Sequence, residues 1–194
     1  SPTNGHVHID PNVAVGYLRQ EAALTFANRD HSIYDEMLTV FNSLHEVEAK
    51  MRELEAVMST GETAVLEEYG LLQESYEHGG GYQYPHDIKR VLLGLGFAEE
   101  EWQTPLSHLS GGQQTRLSLG RLLLEKPDLL ILDEPTNHLD AQTVEWLEGA
   151  LREYRGAILL VTHDRYFLDR VVSRIIEVDR DDGFISYPGN YSIY

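Results

Sequence analysis

Two short apolar runs in the second half of the chain restrict the fold most strongly: LLIL at residues 129–132 and AILLV at residues 157–161. Stretches with helical periodicity lie beside them, one after Ser110 and one from Ala141 to about residue 154. Apolar strands that alternate with helices are typical of a parallel sheet that is covered on both faces. The pattern therefore predicts an α/β fold in which both runs are buried strands.

The composition excludes several classes of protein. The 194 residues suffice for one core with an insertion. No apolar run approaches the roughly 20 residues of a membrane span, and the first residues do not resemble a signal peptide. The absence of cysteine excludes disulfides and thiolate metal sites, and it fits a cytoplasmic location. A formal net charge of −17 repels phosphate backbones, so free DNA or RNA is a poor partner for most of this surface.

The first half of the chain changes from strand to helical periodicity. VAVGY at residues 13–17 predicts a short strand, and Ser32 followed by Asp35 predicts the capped start of a helix. Apolar residues then follow a heptad seam, at Met37, Val40, Leu44, Val47, Met51, Leu54 and Met58. A turn around Gly61 leads to a second helix from Glu62 to about residue 76, with inward side chains expected at Val65, Leu66, Tyr69 and Leu72. Two such helices make a protruding hairpin, although ordinary helices lying on the core fit the same spacing.

Two adjacent acids, Asp133 and Glu134, follow the first apolar run directly. Ligands of open parallel sheets bind beyond the carboxyl ends of the strands. One acid there can hold Mg²⁺, largely through water, and the next can orient or deprotonate an attacking water molecule. An isolated Asp-Glu-Pro turn is more often a solvated turn, so the neighbouring residues decide its meaning.

The decisive neighbour is the signature turn, LSGGQ at residues 109–113. Ser110 is a favourable N-cap, and Gly111 and Gly112 allow a ligand to approach the backbone closely. The positive end of the following helix suits an anion, above all a terminal phosphate. The string LSGGQQTRLSLGRLLLEKPDLLILDEP resembles the signature and Walker B segments of the ATP-binding cassette (ABC) ATPases.

This resemblance implies a set of site residues. Glu134, His163 and Gln20 are the expected catalytic residues, with Gln20 as the Q-loop glutamine and His163 as the switch histidine near the terminal phosphate. Ser110, Gly111, Gly112 and Gln113 are expected to cap an ATP molecule that is held by a second cassette. Asp140 belongs to the expected D-loop at residues 137–140, which touches that second cassette. The expected cofactor is Mg²⁺ with ATP, and the expected metal ligands are Asp133 and Gln20, partly through water.

Three further motifs, DEPTNHLD, VTHDRYFLD and SYPGNYSIY, resemble the ABC-F branch of the family. These proteins are soluble tandem ATPases, and many of them act on the ribosome. The resemblance implies an ABC-type P-loop NTPase core, made of a parallel sheet with flanking helices, and a helical subdomain that carries a hairpin arm. It also implies ATP, a second cassette and the ribosome as partners, with the ribosome contacted through the arm and an interdomain linker.

The phosphate loop that this family requires is missing from the printed sequence. The lysines are Lys50, Lys89 and Lys126, and none of them follows a glycine, whereas a phosphate loop contains a Gly-Lys pair. We therefore expect a C-terminal portion of a first cassette, incomplete at its N-terminus, that hydrolyses no ATP alone. The resemblance further implies that the strand feeding the phosphate loop lies beside the Walker B strand, and that its loss exposes apolar strand edges.

The resemblance divides the chain into three parts of one partial ABC ATPase domain, residues 1–194. Residues 1–30 are the strand and the Q-loop, and residues 31–110 are the helical subdomain with the arm at about residues 32–77. Residues 110–194 carry the signature helix, Walker B, the D-loop, the switch histidine and two C-terminal strands. A nucleotide-binding subunit of a membrane transporter and a non-catalytic docking module remain alternative functions.

Overall fold

A computed structural model describes residues 8–18, 31–57, 63–179 and 183–192 of the chain. Its strands are β1 (Val15–Leu18), β2 (Leu129–Asp133), β3 (Ala157–Val161), β4 (Arg174–Asp179) and β5 (Gly183–Pro188). Its helices are α1 (Ile33–Leu38), α2 (Asn42–Val57), α3 (Thr63–His78), α4 (Tyr84–Gly94), α5 (Gly111–Glu125), α6 (Ala141–Arg152) and α7 (Arg165–Val171). The predicted α/β class is confirmed.

The parallel sheet has the strand order β1-β2-β3, so the most apolar strand lies in the middle. Leu18 pairs with Leu132, and Asp133 pairs with Val161. The carboxyl ends of the three strands therefore meet at one end of the sheet, where α/β proteins bind ligands. Both neighbours of β2 are strands of this chain, so the expectation of a phosphate-loop strand beside the Walker B strand is wrong.

The described residues cover only one face of this sheet. Leu130 and Leu132 are 0% exposed and pack in one core with apolar side chains of α4, α5, α6 and α7. On the opposite face, Leu159 is 46% exposed and Val161 is 55% exposed. Side chains alternate along a strand, so every second residue of an uncovered face meets solvent. The expectations of two covered faces and of a buried β3 are therefore wrong for the described part of the chain.

The helical half begins with the predicted capping box. The Ser32 hydroxyl accepts a hydrogen bond from the Asp35 N–H at 3.2 Å, and the Asp35 carboxylate accepts one from the Ser32 N–H at 3.2 Å. The predicted heptad seam is divided, because α1 ends at Leu38 and a 3₁₀ turn at Thr39–Phe41 separates it from α2. Met37 consequently lies in the main core and not in the seam between α2 and α3.

Helices α2 and α3 pack against each other and form a second, small apolar cluster. Leu44 and Met51 of α2 meet Tyr76 of α3 in this cluster. The set of inward residues predicted for the second helix is partly wrong, since Leu66 is 49% exposed. The turn expected around Gly61 lies outside the described residues, as does Met58.

The C-terminal strands β4 and β5 form a separate antiparallel pair, as the sequence of the tail predicts. Their apolar side chains are largely in solvent: Val178 is 71% exposed and Phe184 is 79% exposed. The open faces of both sheets thus lie away from the core that supports the signature helix.

Candidate functional site

The acid pair lies at the carboxyl end of the central strand. Asp133 is the last residue of β2 and is half-buried, and Glu134 begins the turn that leaves the sheet. Glu134 has a φ of 49°, a left-handed conformation that costs a residue with a side chain roughly 1–2 kcal/mol. Its N–H donates to the carbonyl oxygen of Val161 at 2.8 Å, which holds the turn against the end of β3.

The Glu134 carboxylate is fixed by residues that follow β3. The Thr162 hydroxyl donates to Glu134 Oε2 at 3.1 Å, and His163 Nε2 lies 3.4 Å from Glu134 Oε1. The Glu134 side chain is 11% exposed, whereas the His163 side chain is fully exposed. The site therefore pairs an oriented carboxylate beneath the surface with an imidazole that faces solvent.

Thr162 contacts the Glu134 carboxylate, and our sequence analysis did not identify it. Its hydroxyl oxygen also accepts a hydrogen bond from the Asp164 N–H at 3.2 Å, and Asp164 in turn caps α7. The side chain thus joins the Glu134 carboxylate to the turn that presents His163. A hydroxyl residue between an apolar strand and a predicted catalytic histidine is the sequence signal that could have identified it.

The signature turn caps α5 in a reciprocal arrangement. The Ser110 hydroxyl accepts from the Gln113 N–H at 3.3 Å, and the Gln113 side-chain oxygen accepts from the Ser110 N–H at 3.0 Å. Ser110 and Gly111 are exposed, while Gly112 and Gln113 are half-buried. Ser110 is therefore not in the apolar interior, and the positive end of a 15-residue helix faces the surface.

The D-loop leads into α6. Asp140 caps this helix, with its Oδ1 accepting from the Thr143 N–H at 2.8 Å. That hydrogen bond is the main reason why the pKa of Asp140 lies below its usual range. His138 has a φ of 66°, and a Cβ placed on Gly112 would lie 3.4 Å from its Cβ. The D-loop and the signature turn of this chain therefore lie close to each other.

The structure brings some of the predicted site residues together and leaves others apart. Glu134 and His163 are adjacent, as the parallel register of β2 and β3 requires. Gln20 lies outside the described residues, although β1 ends at Leu18, beside Leu132 of β2. The signature residues and Asp140 form a second group, built on the first turns of α5 and α6.

The donor set at the end of β2 suits a hard cation that keeps most of its own water. Among the described residues, no cluster of three or more histidine, aspartate or glutamate side chains could enclose a metal ion. Mg²⁺ is commonly bound by one or two carboxylates together with water and substrate phosphates. Asp133 is a single half-buried carboxylate, which fits a Mg²⁺ ion that keeps most of its water.

A cavity of about 940 Å³ lies elsewhere in the described part of the chain, between α4, α5 and α6. Asp128, which precedes β2, and Gly156, which precedes β3, both line it, so it opens at the amino ends of the strands. Its charged lining carries both signs, at Asp87, Arg90, Lys126, Asp128, Glu145, Glu153 and Arg155. The cavity therefore lies at the opposite end of the strands from the acid pair, and its charge is mixed.

Comparisons with known proteins identify similar sequences. The ABC transporter family model matches residues 1–137. The energy-dependent translational throttle protein EttA of Mycobacterium tuberculosis is 40% identical over 194 residues, covering 100% of this chain and 34% of that protein. The ATP-binding protein YdiF of Bacillus subtilis is 54% identical over 142 residues, covering 73% of this chain and 21% of that protein. The chain thus spans about a third or less of the length of these relatives.

A solved complex of an archaeal ribosome recycling factor, aABCE1, with the ribosomal stalk protein aP1 has a similar fold. The recycling factor matches with a TM-score of 0.56 and 21% identity, over 96% of this chain and 29% of that chain. Within residues 8–18, 31–57, 63–179 and 183–192, no helix is long and apolar enough to cross a bilayer.

Proposed function

Since the chain belongs to the ATP-binding cassette family, whose model covers residues 1–137, we propose that it works as the ATP-hydrolysing cassette of a ribosome-associated ABC-F protein. The 40% identity to EttA over the whole chain supports the ABC-F branch. The catalytic site of this proposal is composite: one cassette supplies the catalytic carboxylate and the other supplies the signature turn. The position of the oriented Glu134 carboxylate beside His163 is the observation that supports it most strongly.

Glu134 is the general base of the proposed reaction. Its carboxylate accepts a proton from water as the water oxygen attacks the terminal phosphorus of ATP and the bond to ADP breaks. The hydrogen bond from Thr162 keeps the carboxylate in one orientation, and the 11% exposure of the side chain limits competing water. His163 faces solvent 3.4 Å from this carboxylate, and in our proposal it donates a hydrogen bond to the terminal phosphate.

The signature turn acts on a second nucleotide. The exposed Ser110 hydroxyl and the first N–H groups of α5 present partial positive charge to the surface, where an anion is favoured. In our proposal this surface caps the terminal phosphate of an ATP molecule bound by the partner cassette. The D-loop lies beside the signature turn, and in our proposal it meets the same partner.

Nucleotide affinity of the isolated chain is proposed to be weak. Mg²⁺ bound with ATP neutralises phosphate charge, and Asp133 and Gln20 are the residues of this chain that would hold it, partly through water. The printed sequence contains no Gly-Lys pair, so it offers no lysine of a phosphate loop to the outer phosphates. Calorimetry of the chain with Mg-ATP should therefore give little or no heat of binding, and an affinity in the micromolar range would contradict this proposal.

The hairpin of α2 and α3 is the proposed arm toward the ribosome, and the proposed location is the cytoplasm. The name of EttA refers to translation, and the solved recycling factor is bound to a ribosomal stalk protein. The net charge of −17 makes RNA an unfavourable partner for most of this surface.

Sedimentation of the full-length protein tests the proposed partner. Glu134→Gln retains a side chain of similar size and cannot take the proton, so the variant should remain on ribosomes in the presence of ATP while the wild type dissociates. Glu100→Gln, at an exposed position, is the matched control and should behave as the wild type. Sedimentation with membrane vesicles alone would favour a transporter subunit. Ribosome binding that changes neither with ATP nor with the Glu134→Gln replacement would favour a docking module.

A further inference from the structure

Arg116 of α5 lies where three segments of the chain meet. Its Nη1 donates to the carbonyl oxygen of Leu95 at 3.2 Å, just after α4, and its guanidinium carbon lies 5.1 Å from the centre of the Phe97 ring. We call this place the helix junction: residues 95–97, Arg116, and residues 140–143 at the start of α6. The junction therefore lies between the helix that carries the signature turn and the helix that follows the D-loop.

Gly96 shows how closely the junction is packed. It has a φ of 76°, and a Cβ at this position would lie 3.1 Å from Arg116 Nη1 and 3.3 Å from Thr143 Oγ1. Only a glycine accommodates both the left-handed conformation and this approach. The guanidinium of α5 and the hydroxyl of α6 thus reach the same glycine from two sides.

Thr143 continues the connection to the D-loop. It is 2% exposed, and its N–H donates to the carboxylate of Asp140 at 2.8 Å. The pKa of Asp140 is lowered first by its hydrogen bonds with Thr143 and, to a smaller degree, by the positive charge of Arg116. At the other end of the D-loop, His138 lies close to Gly112 of the signature turn.

The contacts of Arg116 fix the relative positions of the segments that meet at the junction more than they stabilise the fold. Its Nε is buried and has no hydrogen-bond partner in the described part of the chain. Burial of a cation carries a desolvation cost. One hydrogen bond to a carbonyl oxygen and one cation–π contact offset this cost only in part. A planar guanidinium does, however, define direction, because its donors are fixed relative to one another.

We propose that Arg116 is a positioning residue that fixes the signature turn relative to the D-loop, so that both reach a second cassette in register. The inference rests on the proposed composite site, in which Ser110 and the D-loop of one cassette act together on the other. Arg116 touches neither nucleotide nor reacting atoms. It acts through α5 on the signature turn and through Thr143 on Asp140.

Amide hydrogen exchange in the 194-residue chain tests the junction without any need for catalysis. Arg116→Met removes the positive charge and the planar set of N–H donors. The Gln113 and Thr143 N–H groups should then exchange about tenfold faster, as the loss of one charged hydrogen bond implies. Arg121→Met is the matched control on the same helix, because Arg121 pairs with Glu36 and Glu125, away from the junction. Exchange is compared at equal global stability, adjusted with urea.

The two amides should respond to Arg116→Met alone. Equal exchange rates in the two variants at matched stability would overturn the proposal, and so would unchanged rates in Arg116→Met.

Steady-state ATP hydrolysis by the full-length protein provides the functional measurement. Arg116→Met should lower kcat/KM by about ten- to a hundredfold, the order expected when a catalytic surface is displaced without loss of its own groups. Arg116→Lys keeps the charge but not the planar set of N–H donors, so its kcat/KM should lie between those of Arg116→Met and the wild type. Arg121→Met should leave kcat/KM near the wild-type value even where its melting temperature is lower.

The two proposals fail in different ways. A loss of activity in Arg121→Met equal to that in Arg116→Met would reduce Arg116 to a stabilising residue and refute the inference. A full-length protein that is unaffected by Glu134→Gln would instead refute the proposed catalytic function. In that case the exchange measurement still decides whether Arg116 couples the signature turn to the D-loop.

Discussion

Replacement of Arg121 by methionine tests the energetics of an ion pair between the buried Glu36 of α1 and the second half of α5, away from the signature turn. The Glu36 carboxylate of α1 is 0% exposed and accepts hydrogen bonds from Arg121 Nη1 and, at 2.6 Å, from His31 Nε2. Loss of the guanidinium removes one cation that pairs with this buried carboxylate, and removal of one partner of a buried ion pair costs about 3–5 kcal/mol. Arg121 is 27% exposed and His31 still contacts the carboxylate, so we expect the lower end of this range, about 3 kcal/mol.

Urea unfolding followed by circular dichroism measures this change. A loss of about 3 kcal/mol lowers the folding equilibrium constant by roughly two orders of magnitude, and the slope with urea should not change. Arg52→Met is the matched control, because Arg52 makes an exposed pair with Glu48 along α2 and should cost at most about 0.5 kcal/mol. The double replacement Glu36→Leu with Arg121→Met should recover most of the loss, since it removes the buried charge.

The reasoning would be refuted if Arg121→Met cost no more than Arg52→Met. It would also be refuted if the double replacement were less stable than Arg121→Met alone, because the buried charge would then not be the source of the loss.

Three further predictions concern the site and its supports. Gly96→Ala should lower the free energy of unfolding by about 1–2 kcal/mol in urea titrations, because it combines a positive φ with close contact to Arg116. The pKa of Asp140 is lowered in the folded state, so its carboxylate stabilises the fold above its ordinary pKa, and this stabilisation is lost as the pH falls through the folded-state pKa. Asp140→Asn still caps the helix but does not titrate. In thermal melts this variant should therefore lose less stability in acid than the wild type. Thr162→Val in the full-length protein should lower kcat for ATP hydrolysis by about tenfold with little change in KM, because it releases the Glu134 carboxylate without removing it.

Each of these predictions has a contradicting result. Unchanged stability of Gly96→Ala would show that the helix junction accommodates a methyl group without loss of stability. Identical acid sensitivity of wild type and Asp140→Asn would show that the carboxylate does not couple folding to pH. A Thr162→Val enzyme with normal kcat would show that the hydroxyl does not orient the catalytic carboxylate.

The local features of the site were predictable because they depend on neighbouring residues. Ser110 and Gln113 form a capping arrangement that short-range spacing specifies. The position of Glu134 next to His163 follows from two apolar strands that lie side by side in a parallel sheet. Both features require only the identity of the element that precedes each residue.

Features that depend on distant parts of the chain were not predictable in the same way. The open face of β3 could not be read from an apolar run, since the same residues suit a covered strand and an uncovered one. The contact between Arg116 and residues 95–97 joins helices whose separation in sequence carries no periodic signal. The division of the predicted seam between α1 and α2 likewise reflects the packing of Met37 in the main core.

The central claim is that Glu134 removes the proton from the attacking water, and single-turnover hydrolysis of ATP by the full-length protein tests it most directly. Glu134→Gln should bind ATP with unchanged affinity, and the ATP molecule held beside residue 134 should be hydrolysed at least about a hundredfold more slowly than in the wild type, the order expected for loss of a general base. A Glu134→Gln protein that hydrolyses bound ATP at the wild-type rate would contradict the account.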